Sequence, residues 1–211
     1  MAGEGTAAAD GGDIALTDTN PSILILGIDP STTKCGVALV ALPLQGQARL
    51  LQAVCLHGGK GDHLQRIRII AREIAPLSGM AEIIAIEEPF SRPGQSGPRG
   101  AGGGKNLEMV ERLIGAIVYL SNPAPLEMIH PATVAAHFGA SGRPREEKKQ
   151  MAVNWARLAF GLALSWADHD VAEAIAVACV GGERWQERKH LEIERERQPA
   201  LKLTGKARGI R

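Results

Sequence analysis

The chain has 211 residues, enough for one well-buried domain of common size. Hydrophobic residues make up 45% of it but aromatics only 3%, so the core has to be built from Ala, Val, Leu and Ile. The net charge is +1, from 24 Lys and Arg against 23 Asp and Glu, so no global basic excess announces a nucleic-acid partner. Any such partner has to meet a local basic face, offset by acids elsewhere. Cys35, Cys55 and Cys179 stand far apart in apolar runs and read as buried thiols of a reducing compartment. No run reaches the length of a membrane span and no secretory signal opens the chain. The expected location is the cytosol.

Residues 1–22, rich in Ala, Gly, Asp and Thr without periodicity, read as a disordered tail. One folded domain is expected over 23–182, and 183–211 is a charged extension, helical at first and then irregular. Ile23–Ile28 (ILILGI) is apolar at every position, as in a strand covered on both faces, and ends at Asp29-Pro30. Cys35–Leu42 is its hairpin partner across the polar turn Ser31–Lys34, and Leu50–His57 is a third strand. From Asp62 to Leu77 the spacing of Leu64, Ile67, Ile70 and Ile74 is helical. Glu82–Glu87 (EIIAIE) is a fourth strand, stopped by Pro89.

The stretch Ser91–Gly104 is dense in Gly and Pro and is expected to hold no regular structure. A helix follows over Asn106–Leu120, with Gly115 and Ala116 on a face open to close packing. Leu126–Ile129 is a short strand ending at His130-Pro131. Helices over Arg145–Leu158 and Ala167–Val180 complete the domain. This order predicts an α/β three-layer architecture: a mixed five-stranded sheet with helices on both faces.

Four acids stand out by position. Asp29 closes the first strand and Glu87 the fourth, while Asp170 and Glu173 lie three apart at the start of an Ala-rich helix, on one face. If the two strands are neighbours, their terminal carboxylates sit side by side. At about 4 Å and an effective dielectric near 20 they repel by about 4 kcal/mol. A dication removes that cost, and an all-oxygen donor set suits a hard cation such as Mg²⁺. Taken singly, each acid has a plainer reading: Asp before Pro opens a turn, Glu87 is a strand-end charge with Glu88 beside it, Asp170 caps a helix, and Glu173 favours the helix dipole.

The strings ILGIDPSTTKCGVALV, IAIEEPF and DVAEAIAVA resemble, in order and separation, the three acidic motifs of the RuvC resolvases, nucleases of the RNase H-like superfamily. The likeness runs from about Ile23 to Val180. It implies an endonuclease that cuts four-way (Holliday) DNA junctions, with two Mg²⁺ ions (or Mn²⁺) per site held by Asp29, Glu87, Asp170 and Glu173. It also implies a homodimer, with no membrane partner and no small-molecule cofactor. The last acid is usually Asp in that family, so Asp168 and His169 stand as alternative or supporting groups. Phe90 falls where the family carries an aromatic that stacks on bases, and Lys148, with Lys149 as the alternative register, where it carries a basic residue near the site. Arg92, Arg99 and Lys105, in and beside the Gly-rich loop, are read as DNA contacts. The family's Lys after P-x-x-V is replaced here by Ala135. The 106–120 helix is the candidate dimer interface.

Three other readings compete. GIDPSTTKCGVAL also resembles the first phosphate loop of actin-like ATP-binding proteins, but that fold is expected to need a second domain and a second Gly-rich loop. A catalytically idle junction-binding protein of the same fold conflicts with the full acidic set. An RNase H-like nuclease on other branched DNA or on RNA–DNA hybrids differs little in sequence.

Overall fold

The computed structural model describes residues 21–89, 101–120 and 124–197, the side chains of 101–106 and of 197 excepted. Three antiparallel strands open it: β1 (Ser22–Asp29), β2 (Lys34–Pro43) and β3 (Arg49–His57). Helix α1 (His63–Ser78) follows, its first turn capped by the Asp62 carboxylate, which accepts from the Gln65 amide at 2.8 Å. Strand β4 (Ile83–Glu87), helix α2 (Ala101–Leu120) and strand β5 (Leu126–Ile129) come next. Helices α3 (Pro131–His137) and α4 (Arg145–Phe160), a 3-10 turn at Trp166–Asp168, and the long α5 (His169–Arg197) complete the chain. The sheet order is β3-β2-β1-β4-β5, with β4 parallel to both β1 and β5, so the predicted mixed five-stranded sheet is present.

Two expectations are corrected. Residues 101–104, assigned to an irregular Gly-rich loop, are already in α2; three consecutive glycines are poor helix formers, but the following residues carry the helix backward over them. The terminal helix does not stop at Val180: α5 runs through Gly181 and Gly182 to Arg197, so 182/183 lies inside a helix. The stretch from Glu183 onward is rich in residues with good helix propensity, which lets it continue beyond the sheet. The expected tail at 1–22 falls, but for its last two residues, outside the described residues.

The two-residue period of the strands divides the core. Leu26, Ile28, Cys35, Val37, Leu39, Ile84 and Ile86 point to α1 and α2, meeting Ile67, Ile70, Ile74, Leu113 and Ile117. Ile25, Ala38, Val40, Ile83 and Ala85 point the other way, to α5 and, beyond it, α3 and α4. On that second face Gly27 and Gly36 also meet α5. A Cβ on Gly27 would collide with the Ala174 carbonyl and come within 2.7 Å of the Ala178 Cβ; one on Gly36 would collide with the Asp170 carbonyl. Near the far end of the contact, a Cβ on Gly181 would strike that of Ala85. The helix therefore lies against strand backbone with almost no side chain between. This is the use made of a composition poor in aromatics and rich in Ala and Gly.

Candidate active site

The same parity that points Ile25 and Gly27 toward α5 points Asp29 there, and the parity of Ile83 and Ala85 does the same for Glu87. Parallel pairing of Ile28 with Ile86 makes Asp29 and Glu87 the next residues of adjacent strands, the juxtaposition expected from sequence. Asp29 also pairs in register with Gly36, the residue that admits the first turn of α5. That turn carries Asp170 and Glu173. One carboxylate oxygen from each of Asp29, Asp170 and Glu173 falls within a 4.8 Å cluster. Glu87 lies outside that triplet but within electrostatic reach of Asp29 and Glu173.

The electrostatics show what this convergence costs. Burial, then the charge of Glu87, then those of Glu173 and Asp170 raise the Asp29 carboxyl well above its ordinary range. Burial and then Glu173 push Glu87 up to about 8, against the opposing pull of Lys148. Glu173 is raised as well, chiefly by burial. The Asp29 and Glu173 carboxyls face one another closely enough for a hydrogen bond, a contact that favours the protonated form of Asp29.

Asp170 is held on one side only. Its Oδ1 lies 3.2 Å from the His169 Nε2, while its Oδ2 is buried with no hydrogen-bond partner among the described residues. The His169 ring is in turn oriented by Nδ1, which donates to the Trp166 carbonyl at 3.2 Å. An orphaned, buried carboxylate oxygen among three other acids fits a hard cation: the donors are all oxygen, and their mutual repulsion is the cost a dication would offset.

Asp168 is not available to that cluster. Its Oδ2 accepts from the Ser165 amide and hydroxyl, each at 2.7 Å, closing a capping box around the 3-10 turn. Those bonds hold its carboxyl below the usual range. Asp168 as an alternative ligand is therefore corrected: it builds the turn that presents His169 and Asp170. Both lysines of the two alternative registers reach the acids from α4, Lys148 acting on Glu87 and Lys149 on Glu173. Phe90, Arg92 and Arg99 lie outside the described residues; the backbone of Lys105 is in α2, but its side chain also lies outside them.

Gly36 and Gly27, which decide how near α5 comes, did not stand out in the sequence. Their signal was a single glycine, Gly27, two before Asp29 in β1, and Gly36 and Ala38 at alternate positions of β2. The His169–Asp170 contact needed the turn geometry to be seen.

No protein-family model matches the chain. A RuvC crossover junction endodeoxyribonuclease from Frankia alni is 29% identical over 157 residues, 73% of this chain and 75% of that protein. Among solved structures, Thermus thermophilus RuvC superposes with a TM-score of 0.58 at 22% identity, covering 80% of this chain and 97% of the other. The same protein in complex with a Holliday junction substrate gives 0.58 at 21% identity, over 79% and 96%. A yeast mitochondrial Holliday junction resolvase gives 0.53 at 13% identity, over 86% of each chain. In fold the chain is similar to the RuvC structures, and in sequence it is similar to the Frankia protein.

Proposed function

We propose that the chain is a structure-selective endonuclease that cuts four-way DNA junctions, using Mg²⁺ or Mn²⁺ with two ions per site. The observation that carries this reading is the meeting of Asp29, Glu87, Asp170 and Glu173: the carboxyls of Asp29, Glu87 and Glu173 are raised, chiefly by burial, and the buried Asp170 Oδ2 has no partner among the described residues, a set built for a cation rather than for stability. The printed functions of the similar proteins support the substrate. In this reading the four acids are the ligands, and His169 fixes Asp170 in place. Such ions, when bound, make a water more acidic and offset charge on the leaving oxygen of a phosphodiester.

Lys148 and Lys149 hold the phosphate against the acids from the α4 side. Phe90 stacks on a base at the opened crossover, and Arg92, Arg99 and Lys105 take backbone phosphates. The protein works as a homodimer through α2, whose outer face leaves Gly115 open and Tyr119 88% exposed beside Val118 and Leu120. Its place is wherever recombining DNA is held, the cytoplasm of a bacterium or an organellar matrix. Among the described residues no helix is long and apolar enough to cross a membrane.

The test offers a synthetic four-way junction, a linear duplex and an RNA–DNA hybrid, each with Mg²⁺, Mn²⁺ or chelator. Paired nicks in the junction alone, dependent on metal, are expected. Cutting of the hybrid in preference to the junction would replace this reading with that of an RNase H-like ribonuclease.

A further inference from the structure

The chain's net charge hides an uneven distribution. From Lys34 to Arg72 there are six Lys and Arg residues and a single acid, Asp62, out of 24 basic and 23 acidic residues overall. That one acid is spent on capping α1. The segment spans β2, β3 and the greater part of α1; the turn from β3 into α1 lies at the sheet end that carries Asp29 and Glu87, whereas the β2–β3 turn, with Arg49, lies at the other. There Lys34 pairs in register with His57, and the Gly58 amide donates to the Thr33 carbonyl.

Arg66 rises from α1 onto the same corner: a Cβ on Gly58 would lie 2.8 Å from that of Arg66 and would collide with the Thr32 carbonyl. Its Nε is enclosed and has no hydrogen-bond partner, and among the described residues neither Arg66 nor Lys34 forms an ion pair. Lys34 feels Asp168 and Cys55 across the mouth of the site without bridging to either. Asp168 is committed to Ser165. Among the described residues, an enclosed guanidinium nitrogen without a partner on one side of this corner and an ammonium without an ion pair on the other leave a place for an anion.

We propose that Arg66 and Lys34 form a second phosphate-binding station, separate from the acidic cluster, that grips the DNA backbone on the β3 side of the site. This rests on the nuclease reading above. Lys34 lies two residues along β2 from Gly36, the register partner of Asp29, or about 7 Å. With a strand of duplex rising about 3.4 Å per nucleotide, a phosphate within one to three nucleotides of the one at the acids falls to it. Arg66 supplies the planar fork suited to such an oxygen pair, and Lys34 a point charge. The contact is to backbone, so it sets register without reading sequence.

Binding of a labelled four-way junction in chelator, over a range of salt concentrations, tests the station. Compared are wild type, Lys34→Ala, Arg66→Gln, the double variant, and Arg66→Lys, with circular dichroism as the check of folding. Each phosphate contact contributes about 0.9 to the slope of log affinity against log salt. The double variant should lose about two units of slope, with affinity about tenfold or more weaker at about 100 mM salt, and Arg66→Lys should keep most of both. If Arg66→Gln fails to fold, the exposed Lys34→Ala alone should lose about one unit. A folded double variant with the wild-type slope overturns the station while leaving the nuclease reading intact, provided wild type still cuts. Wild type that neither binds nor cuts the junction overturns both.

Discussion

On one face of the sheet, α1 and α2 press branched side chains such as Ile67, Ile70 and Ile117 onto Leu26, Ile28 and Ile84. On the other, α5 lies on Gly27, Gly36 and Ala85 with almost no side chain between. The first face is ordinary core, where each methyl removed leaves a cavity but the neighbours can partly relax. The second is set by backbone against backbone, where nothing can relax, because the groups in contact are the chain itself. The acids belong to the second face. Placing two of them on strand ends and two on a helix turn demands a separation that flexible side chains would not hold, and the glycines supply it.

Substitutions that add or remove carbon separate these two kinds of packing. Gly36→Val should have the largest effect. Its side chain would occupy the place of the Asp170 backbone, and moving that turn by even an ångström should lower cleavage by about 100-fold or more, read in a metal-dependent junction assay. Ile70→Ala on the opposite face is the counterpart. It should cost about 2–5 kcal/mol of stability in denaturant titration while leaving cleavage per folded molecule unchanged. If both variants lose activity only in proportion to unfolded protein, the two faces do not differ in the way argued here.

A smaller effect comes from the charges that the tight face confines. Asp29 and Glu87 have carboxyls raised above their unfolded values, so their stabilising contribution is full below about pH 4 and is lost as pH rises, through about 8 for Glu87. Metal-free protein should therefore melt lower at pH 8 than at pH 5. Asp29→Asn should abolish cleavage yet raise the melting temperature at pH 8, with a smaller change at lower pH, where more of the Asp29 carboxyl is protonated. Adding Mg²⁺ should stabilise wild type at pH 8 and have much less effect on the variant. Equal melting curves with and without chelator would count against a cation in this cluster.

The smallest effect belongs to a glycine outside both packings. Gly115 faces open space on α2, so Gly115→Ala should gain about 1 kcal/mol from helix propensity, or about 2–4 °C in melting temperature at concentrations where the protein is monomeric. Sedimentation of the same variant bears on the dimer: close approach through this face should be weakened by the added methyl.

Much of this was legible beforehand for identifiable reasons. Strands such as β1 and β4 announce themselves because burial on both sides leaves no polar position until the terminal acid. The Asp170–Glu173 pair is visible because helix spacing is local. The start of α2 was misread because Ala101–Gly104 has a loop composition and is helical only as the continuation of the residues after it. The end of α5 was misread because Gly181 and Gly182 look like a stop, when they are instead the places where the helix meets Ala85, Ile25 and Leu42. The role of Arg66 was hidden because nothing local in HLQRIRII distinguishes a solvated arginine from one folded over a strand end. Non-local contact decides the last two, and periodicity does not encode it.

Because Asp29 stands near the start of the described chain and Glu173 in its last helix, the cluster is assembled from both ends of the message. A ribosome making this protein releases the strands first, and they carry only half of the carboxylates. The chain on the ribosome thus holds no complete acidic cluster until translation has passed Glu173 and α5 has docked.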